Sequence, residues 1–167
     1  RRVWVNRGFF VTHPGQMITI LVGPPGGPKK STSVNLAVDF LRDIPDVNVI
    51  ANKLSAASFV DSLNRGMVID PLSNLARPAD STGFVSAPEL SVFLPKQGYV
   101  EEIVPIITDI FDSKSGSWRH KTRGSGVVEL HNPLVTMLAG TTPDWLETNI
   151  PTNAYGGGFM SRIFFVW

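Results

Sequence analysis

Met17-Ile18-Thr19-Ile20-Leu21-Val22-Gly23-Pro24-Pro25-Gly26-Gly27-Pro28-Lys29-Lys30-Ser31-Thr32 is the stretch on which the reading of the chain turns. Its first six residues form a short apolar run rich in β-branched side chains and cut off by Gly-Pro-Pro-Gly, the pattern of a buried central strand. From Ser31 onward Val34, Ala37, Val38 and Leu41 recur at helical spacing, and Pro45 marks the exit. Strand, glycine-rich turn and helix in that order supply what a phosphate group needs: inward-facing backbone N–H groups, a helix N-terminus behind them, and a lysine. Gly23 opens the turn, Gly26 and Gly27 can take backbone angles closed to other residues, and Lys30 is expected to reach the β and γ phosphates. Ser31 is expected to hold Mg2+ through its hydroxyl and to cap the helix, with Thr32 beside it. The usual spacing is G-x-x-x-x-G-K-[ST]. Here Pro28 stands where the second glycine belongs, and one extra residue separates Gly23 from the Lys-Ser pair. Lys29 and Lys30 are therefore both candidates, and adjacency to Ser31-Thr32 favours Lys30. The alternative is an ordinary glycine-proline turn between a strand and a helix.

Outward from this stretch, strand and helix patterns alternate, which points to a parallel sheet. Residues 47–51 read as a second strand. Ala56, Phe59, Val60 and Leu63 read as the buried face of a second helix, ended by Asn64-Arg65-Gly66. Residues 83–86 make a short third strand leading into Ala87-Pro88-Glu89-Leu90, where proline should end regular pairing. Residues 100–111 are helical in pattern, with Pro105 either starting or kinking the helix. Residues 118–123 and 127–130 flank Gly124-Ser125-Gly126, the signature of a β-hairpin with a three-residue connection. A strand at 134–139, a short Trp145-Leu146 segment, the triple glycine 156–158 and a last strand at 163–166 complete the chain. No internal repeat or low-complexity tract interrupts it.

The composition sets limits. A length of 167 residues, 43% hydrophobic and 17% charged, suffices for one globular domain with an apolar core, and one domain over 1–167 is expected. A formal net charge of +1, from 15 Lys plus Arg against 14 Asp plus Glu, gives no global basic field, so any nucleic-acid binding must come from a local patch. The absence of cysteine excludes disulfides, thiolate metal sites and a thiol nucleophile, and points weakly to the cytosol. Three scattered histidines argue against structural zinc; His13 and His131 have no partner at metal spacing. No apolar run is long enough to span a bilayer, and the N-terminus lacks a signal-peptide core. A start at Arg1-Arg2 and a stop at Trp167, directly after an apolar run, suggest a piece of a longer protein.

GPPGGPKKST (23–32), APELSVFL (87–94), the hairpin before HNPLVTMLAGTTPDWL (131–146) and GGGFMSRIFFVW (156–167), in this order and spacing, cover nearly the whole chain. Together they resemble phage and mobile-element replication proteins whose P-loop domain belongs with the AAA+ and superfamily 3 helicase-like ATPases. The resemblance implies an α/β fold, a three-layer sandwich around a mainly parallel sheet with an inserted β-hairpin, as in RecA-like and AAA+ domains. It also implies an ATP- and Mg2+-dependent motor or loader acting on single-stranded DNA, in the host cytoplasm if phage-encoded. Within it Glu89 corresponds to the glutamate that polarises the attacking water, although Pro88 replaces the aspartate that usually precedes it. Thr141 and Thr142 occupy the place of a polar residue positioning water against the γ-phosphate; a plain Thr-Thr-Pro turn is the alternative. Arg162 resembles an arginine supplied to a neighbouring subunit's ATP, which requires a homo-oligomeric ring or at least a dimer; the alternative is a surface ion pair.

In the hairpin, Arg119, Lys121 and Arg123 alternate and so project to one face of a strand, where they could meet phosphates; superfamily 3 helicases carry a DNA-contacting hairpin at this place. Equally, such charges serve to solvate an edge strand. Trp4, Phe9, Phe10 and Val11 could form an apolar lid, an adenine-side pocket, or a packing surface for another domain. Two competing functions remain: a nucleotide-gated binding module with little turnover, and a small-molecule kinase. The second lacks the arginine-rich lid that kinase chemistry needs.

Overall fold

The computed structural model describes residues 5–6, 8, 11–12, 16–51, 53–94, 97–113, 116–122, 126–150, 154, 156 and 158–167, with the side chains of 5, 6, 11, 12, 97–101 and 122 left aside. Trp4, Phe9, Phe10, His13 and Arg123 lie outside the described residues, and Val11 belongs to them only through its backbone. The elements are β1 (Val5–Asn6), β2 (Val11–Thr12), β3 (Ile18–Val22), α1 (Lys30–Arg42), β4 (Val49–Ala51), α2 (Ala56–Leu63), β5 (Met67–Ile69), β6 (Ala76–Pro78), β7 (Thr82–Ala87), α3 (Leu90–Phe93), α4 (Gln97–Asp112), β8 (Ser117–Thr122), β9 (Gly126–His131), β10 (Leu134–Thr141), α5 (Pro143–Asn149) and β11 (Ile163–Val166).

The result is a mixed α/β fold around a five-stranded sheet in the order β11-β3-β10-β7-β4, with every pairing parallel. The strand expected at 17–22 is β3, and it lies inside the sheet, between β10 and β11, as its continuous apolar run requires. The chain leaves β3, crosses to β4 at the far edge, and then steps back through β7 and β10 to β11. Because the crossover from β3 to β4 runs across the sheet in the opposite direction to those that return, the right-handed rule for parallel crossovers puts α1 on one face and the helices of the return path on the other.

The two faces are buried unequally. Ile18, Ile20 and Val22 of β3, Val85 and Ala87 of β7, and Val135, Met137 and Ala139 of β10 form one core with Phe59 and Leu63 of α2 and with Ile103, Ile107 and Ile110 of α4. On the opposite face α1 contacts β10 and β7. Of its apolar side chains only Val34 is fully buried, while Leu36 and Phe40 are exposed. At the β11 end of that face Phe164 stands 62% exposed.

Several boundaries differ from expectation. The helix expected from residue 100 starts at Gln97 and carries Pro105 inside it. The Trp145-Leu146 segment is a seven-residue helix, α5, with Pro143 in its first turn and the Thr142 hydroxyl accepting from the Trp145 N–H at 3.3 Å. The hairpin is present as β8 and β9, in the register Arg119 to Glu129 and Lys121 to Val127. A second antiparallel hairpin, β5 with β6, was not anticipated. Its turn is tied by Asp70, whose Oδ1 accepts from the Leu72 and Ser73 N–H groups while Oδ2 pairs with Arg77 at 3.0 Å. These backbone donors, with the Arg77 guanidinium, lower the Asp70 pKa from 3.8 to about 2.

Both hairpins leave the sheet at its N-terminal edge, next to the start of β7 and β10. They are laced together there: Ser81 N–H donates to the His131 carbonyl, the Ser81 hydroxyl accepts from His131 N–H, and Asn132 Nδ2 donates to Asp80 at 2.9 Å. Among the described residues no helix is long and apolar enough to cross a membrane.

Candidate functional site

The loop after β3 opens at the C-terminal edge of the sheet, in the crevice where open parallel sheets place their ligands. Gly23 donates its N–H to the Thr141 carbonyl, which fixes the start of the loop against the end of β10. A Cβ on Gly23 would fall 2.5 Å from the ring of Pro28. The proline that breaks the usual spacing thus packs onto the Cα of the first glycine, and the loop needs glycine at 23 for that reason. Gly26 takes φ +78°, a left-handed conformation that favours glycine. A Cβ at Gly26 or at Gly27 would meet open space, so the demand for glycine at 26 is one of backbone angle alone.

Lys30 is the inward lysine. It is 8% exposed, and its Nζ donates to the carbonyls of Gly23 and Pro24, each at 2.9 Å. An ammonium carries three donors, so one remains for a further acceptor. Lys29 is exposed and serves as the N-cap residue of α1 with no side-chain cap hydrogen bond. That corrects the expectation for Ser31, which lies inside the helix and does not cap it. Its hydroxyl instead donates across to Glu89 Oε1 at 3.0 Å and lies 3.3 Å from the Pro88 carbonyl. The first N–H of α1, that of Lys30, donates to the Pro28 carbonyl at 2.7 Å, and no N-cap side chain bonds the N–H groups of Ser31 and Thr32 that follow it.

Glu89 follows β7, and Thr141 ends β10 at 3% exposure, so the fold gathers Lys30, Ser31, Glu89 and Thr141 from three separate stretches at one edge. Gly140 makes the approach possible. A Cβ there would sit 2.6 Å from the Pro88 carbonyl and 3.3 Å from Lys30 Cβ. Sequence reasoning passed over Gly140, although a glycine near the end of an apolar strand is a sign of close backbone approach. Thr142 points elsewhere, with its hydroxyl engaged as the cap of α5.

Two groups of expected residues lie away from this site. Arg162 precedes β11, whose Ile163 pairs with Ile18, so it is at the opposite edge of the sheet, roughly 15 Å of strand from the loop. Its guanidinium forms a two-pronged pair with Asp112 at the end of α4, bonds the Gly158 carbonyl, and lies 5.9 Å over the Phe111 ring. The hairpin also leaves from that edge. Arg119 is paired with Glu129 at 3.3 Å, which lowers the Glu129 pKa, while Lys121 is exposed on the same face. Trp118 and His120 stack on the other face, and Trp118 Nε1 donates to Asp109 of α4 at 2.6 Å, which anchors the hairpin. Asp112 and Glu129 are partners that the sequence did not single out.

Among the described residues no group of three or more His, Asp or Glu side chains converges on a metal position. The Ser31–Glu89 oxygen pair nevertheless fits Mg2+, which keeps most of its waters and takes one or two protein oxygens together with substrate phosphate. No protein-family model matches the chain, and no curated protein matches its sequence.

Proposed function

We propose that the chain binds ATP with Mg2+ at the Gly23–Thr32 loop and hydrolyses it, as the P-loop motor domain of a replication helicase or helicase loader acting on single-stranded DNA. The observation that carries this reading is the joining of two distant stretches: Lys30 turned into the loop, and Ser31 hydrogen-bonded to Glu89 across the end of the sheet. In this reading the N–H groups of Gly26, Gly27, Lys29, Ser31 and Thr32, with Lys30 Nζ, hold the β and γ phosphates, with the α1 dipole behind them. Ser31 and one oxygen of Glu89 hold the magnesium shell, and bound magnesium neutralises phosphate charge. The other Glu89 oxygen accepts a proton from the attacking water. Thr141 orients that water.

Because Pro88 supplies no carboxylate, Glu89 has to serve both metal and water, and slow turnover follows. That same feature favours the second reading, a nucleotide-gated binding module. Arg162 cannot reach the loop of its own chain, so a catalytic part for it demands a neighbouring subunit and release from Asp112. Lys121, with Arg119, is the candidate contact to single-stranded DNA; Arg123 lies outside the described residues. A cytoplasmic location goes with this function.

Equilibrium binding of ATP with Mg2+ to the wild type, Lys30→Ala and Lys29→Ala tests the core of the proposal. The wild type and Lys29→Ala should bind, and Lys30→Ala should lose at least tenfold in affinity. Equal binding by all three, or by none, removes the phosphate-loop reading. ATP turnover that single-stranded DNA fails to stimulate at any protein concentration would remove the motor reading and leave the binding module.

A further inference from the structure

Two carboxylates on the last turn of α4 hold two parts of the molecule that are far apart in sequence. Asp109 Oδ2 accepts from Trp118 Nε1 of the β8–β9 hairpin at 2.6 Å. Asp112, the final residue of the helix, takes the Arg162 guanidinium on both oxygens, with Nε at 3.0 Å. At i and i+3 the two aspartates stand on one helix face. The seat of Arg162 is shaped for it: its side chain is 20% exposed, the Gly158 carbonyl accepts a further N–H, and the Phe111 ring lies under the cation. A Cβ on Gly158 would fall 2.6 Å from Arg162 Nη1, so the approach of the guanidinium requires glycine there. Above this turn the helix is fixed. Ile106, Ile107 and Ile110 are buried, and the Ile110 carbonyl accepts from the buried Gln16 amide at 3.2 Å and from the Ser113 hydroxyl at 2.8 Å. Below it, residues 113–116 alone separate Asp112 from β8. A displacement of the hairpin is therefore resisted by the buried isoleucines and falls on the half-exposed Asp112.

From this geometry we propose that the last turn of α4 is a latch on Arg162 that is opened from the hairpin. A single strand drawn onto Arg119 and Lys121 displaces the hairpin, the Trp118–Asp109 bond carries the displacement into the turn, and Asp112 lets Arg162 go. The latch rests on the reading of the hairpin as the single-strand contact and of Arg162 as an arginine for a neighbouring copy, and it adds the regulation of that arginine. While latched, the guanidinium is occupied by its own chain, so a copy without a strand withholds it from its neighbour. The Trp118 N–H is the specific link. Without it the hairpin is joined to the helix by the chain alone, and Asp112 keeps its place when the hairpin moves. The coupling is reciprocal, so whatever frees Arg162 from Asp112 raises the affinity for the strand.

The test titrates the whole chain, labelled with nitrogen-15, with a single-stranded oligothymidylate and follows the Arg162 Nε–H resonance, assigned by its loss in Arg162→Lys. Affinity for the same strand is read by fluorescence anisotropy. In the wild type the strand should move that resonance toward the position of a solvent-exposed arginine and speed its exchange with water. Trp118→Phe keeps a ring and removes the N–H; it should bind the strand as the wild type does and leave the Arg162 resonance unmoved. Asp112→Asn opens the latch and should bind the strand about fivefold more tightly. Binding that leaves Arg162 in place, a Trp118→Phe chain whose Arg162 responds like the wild type, or unchanged affinity in Asp112→Asn each overturns the latch and leaves the hairpin contact standing. If the wild type does not bind oligothymidylate, the hairpin reading fails and the latch falls with it.

Discussion

Gly140 shows how one residue sets the geometry of the site. With hydrogen as its side chain, β10 passes under the Pro88 carbonyl and against Lys30, so that the end of β7, the end of β10 and the first turn of α1 meet. Gly140→Ala places a methyl 2.6 Å from a backbone carbonyl, which cannot swing away as a side-chain tip could. Relief requires β7 and β10 to separate at their ends. We expect a stability loss of roughly 1–3 kcal/mol in urea unfolding, the usual cost of overpacking. Since the same displacement moves Glu89 from Ser31, ATP affinity should fall as well. A variant that melts like the wild type would show that the Pro88 turn has slack. Lys30 and Ser31 were legible in the sequence because loop, lysine and helix start are contiguous. Gly140 and Asp112 were not, because their partners are tens of residues away: Arg162 and Asp112 are 50 residues apart, and no local pattern announces such a pair.

At the level of elements, the two hairpins differ in how they are held. The β8–β9 hairpin has one face on the core through Trp118 and Leu130, whereas the β5–β6 hairpin exposes Met67, Ile69, Leu72 and Leu75 and relies on its turn. Asp70 is the knot of that turn. Its folded pKa is depressed, so its contribution is full above the unfolded value near 4 and disappears as pH falls toward about 2. The Leu72 and Ser73 amide resonances should therefore move in that interval as the hairpin loosens, and in Asp70→Asn they should show no such titration. A transition centred near 4 in the wild type would mean that the three hydrogen bonds do not persist in solution. The long strands and the helices were readable from apolar runs and helical spacing. The β5–β6 hairpin was not, because its strands are too short for alternation to develop and β6, Ala76-Arg77-Pro78, carries no apolar run; α5 was too short for a period to show. The hairpin at 118–130 could be read because glycines mark its turn and its strands are twice as long.

At the scale of the molecule, the sheet separates two chemistries: the loop, Lys30, Ser31 and Glu89 at its C-terminal edge, and Arg162 with both hairpins at its N-terminal edge. If hydrolysis needs both, it needs two copies. Lys30→Ala and Arg162→Ala should each be inactive alone, and a mixture should recover a measurable fraction of wild-type turnover, since some interfaces then combine an intact loop with an intact arginine. A silent mixture, with wild-type turnover independent of protein concentration, would confine Arg162 to its pairing with Asp112. The unequal burial of the two sheet faces has one more consequence. The helix that begins at the end of the Gly23–Thr32 loop is attached through little more than Val34 and a few half-covered neighbours, while α4 is held by Ile103, Ile106, Ile107 and Ile110. Local opening should therefore start at α1, and deuterium should enter the amides of 34–42 well before those of 106–110. Anything that bridges the first turn of α1 to Glu89 ties down a helix with one fully buried apolar side chain, so nucleotide should slow exchange there more than in α4, converting occupancy of the loop into rigidity of one whole face.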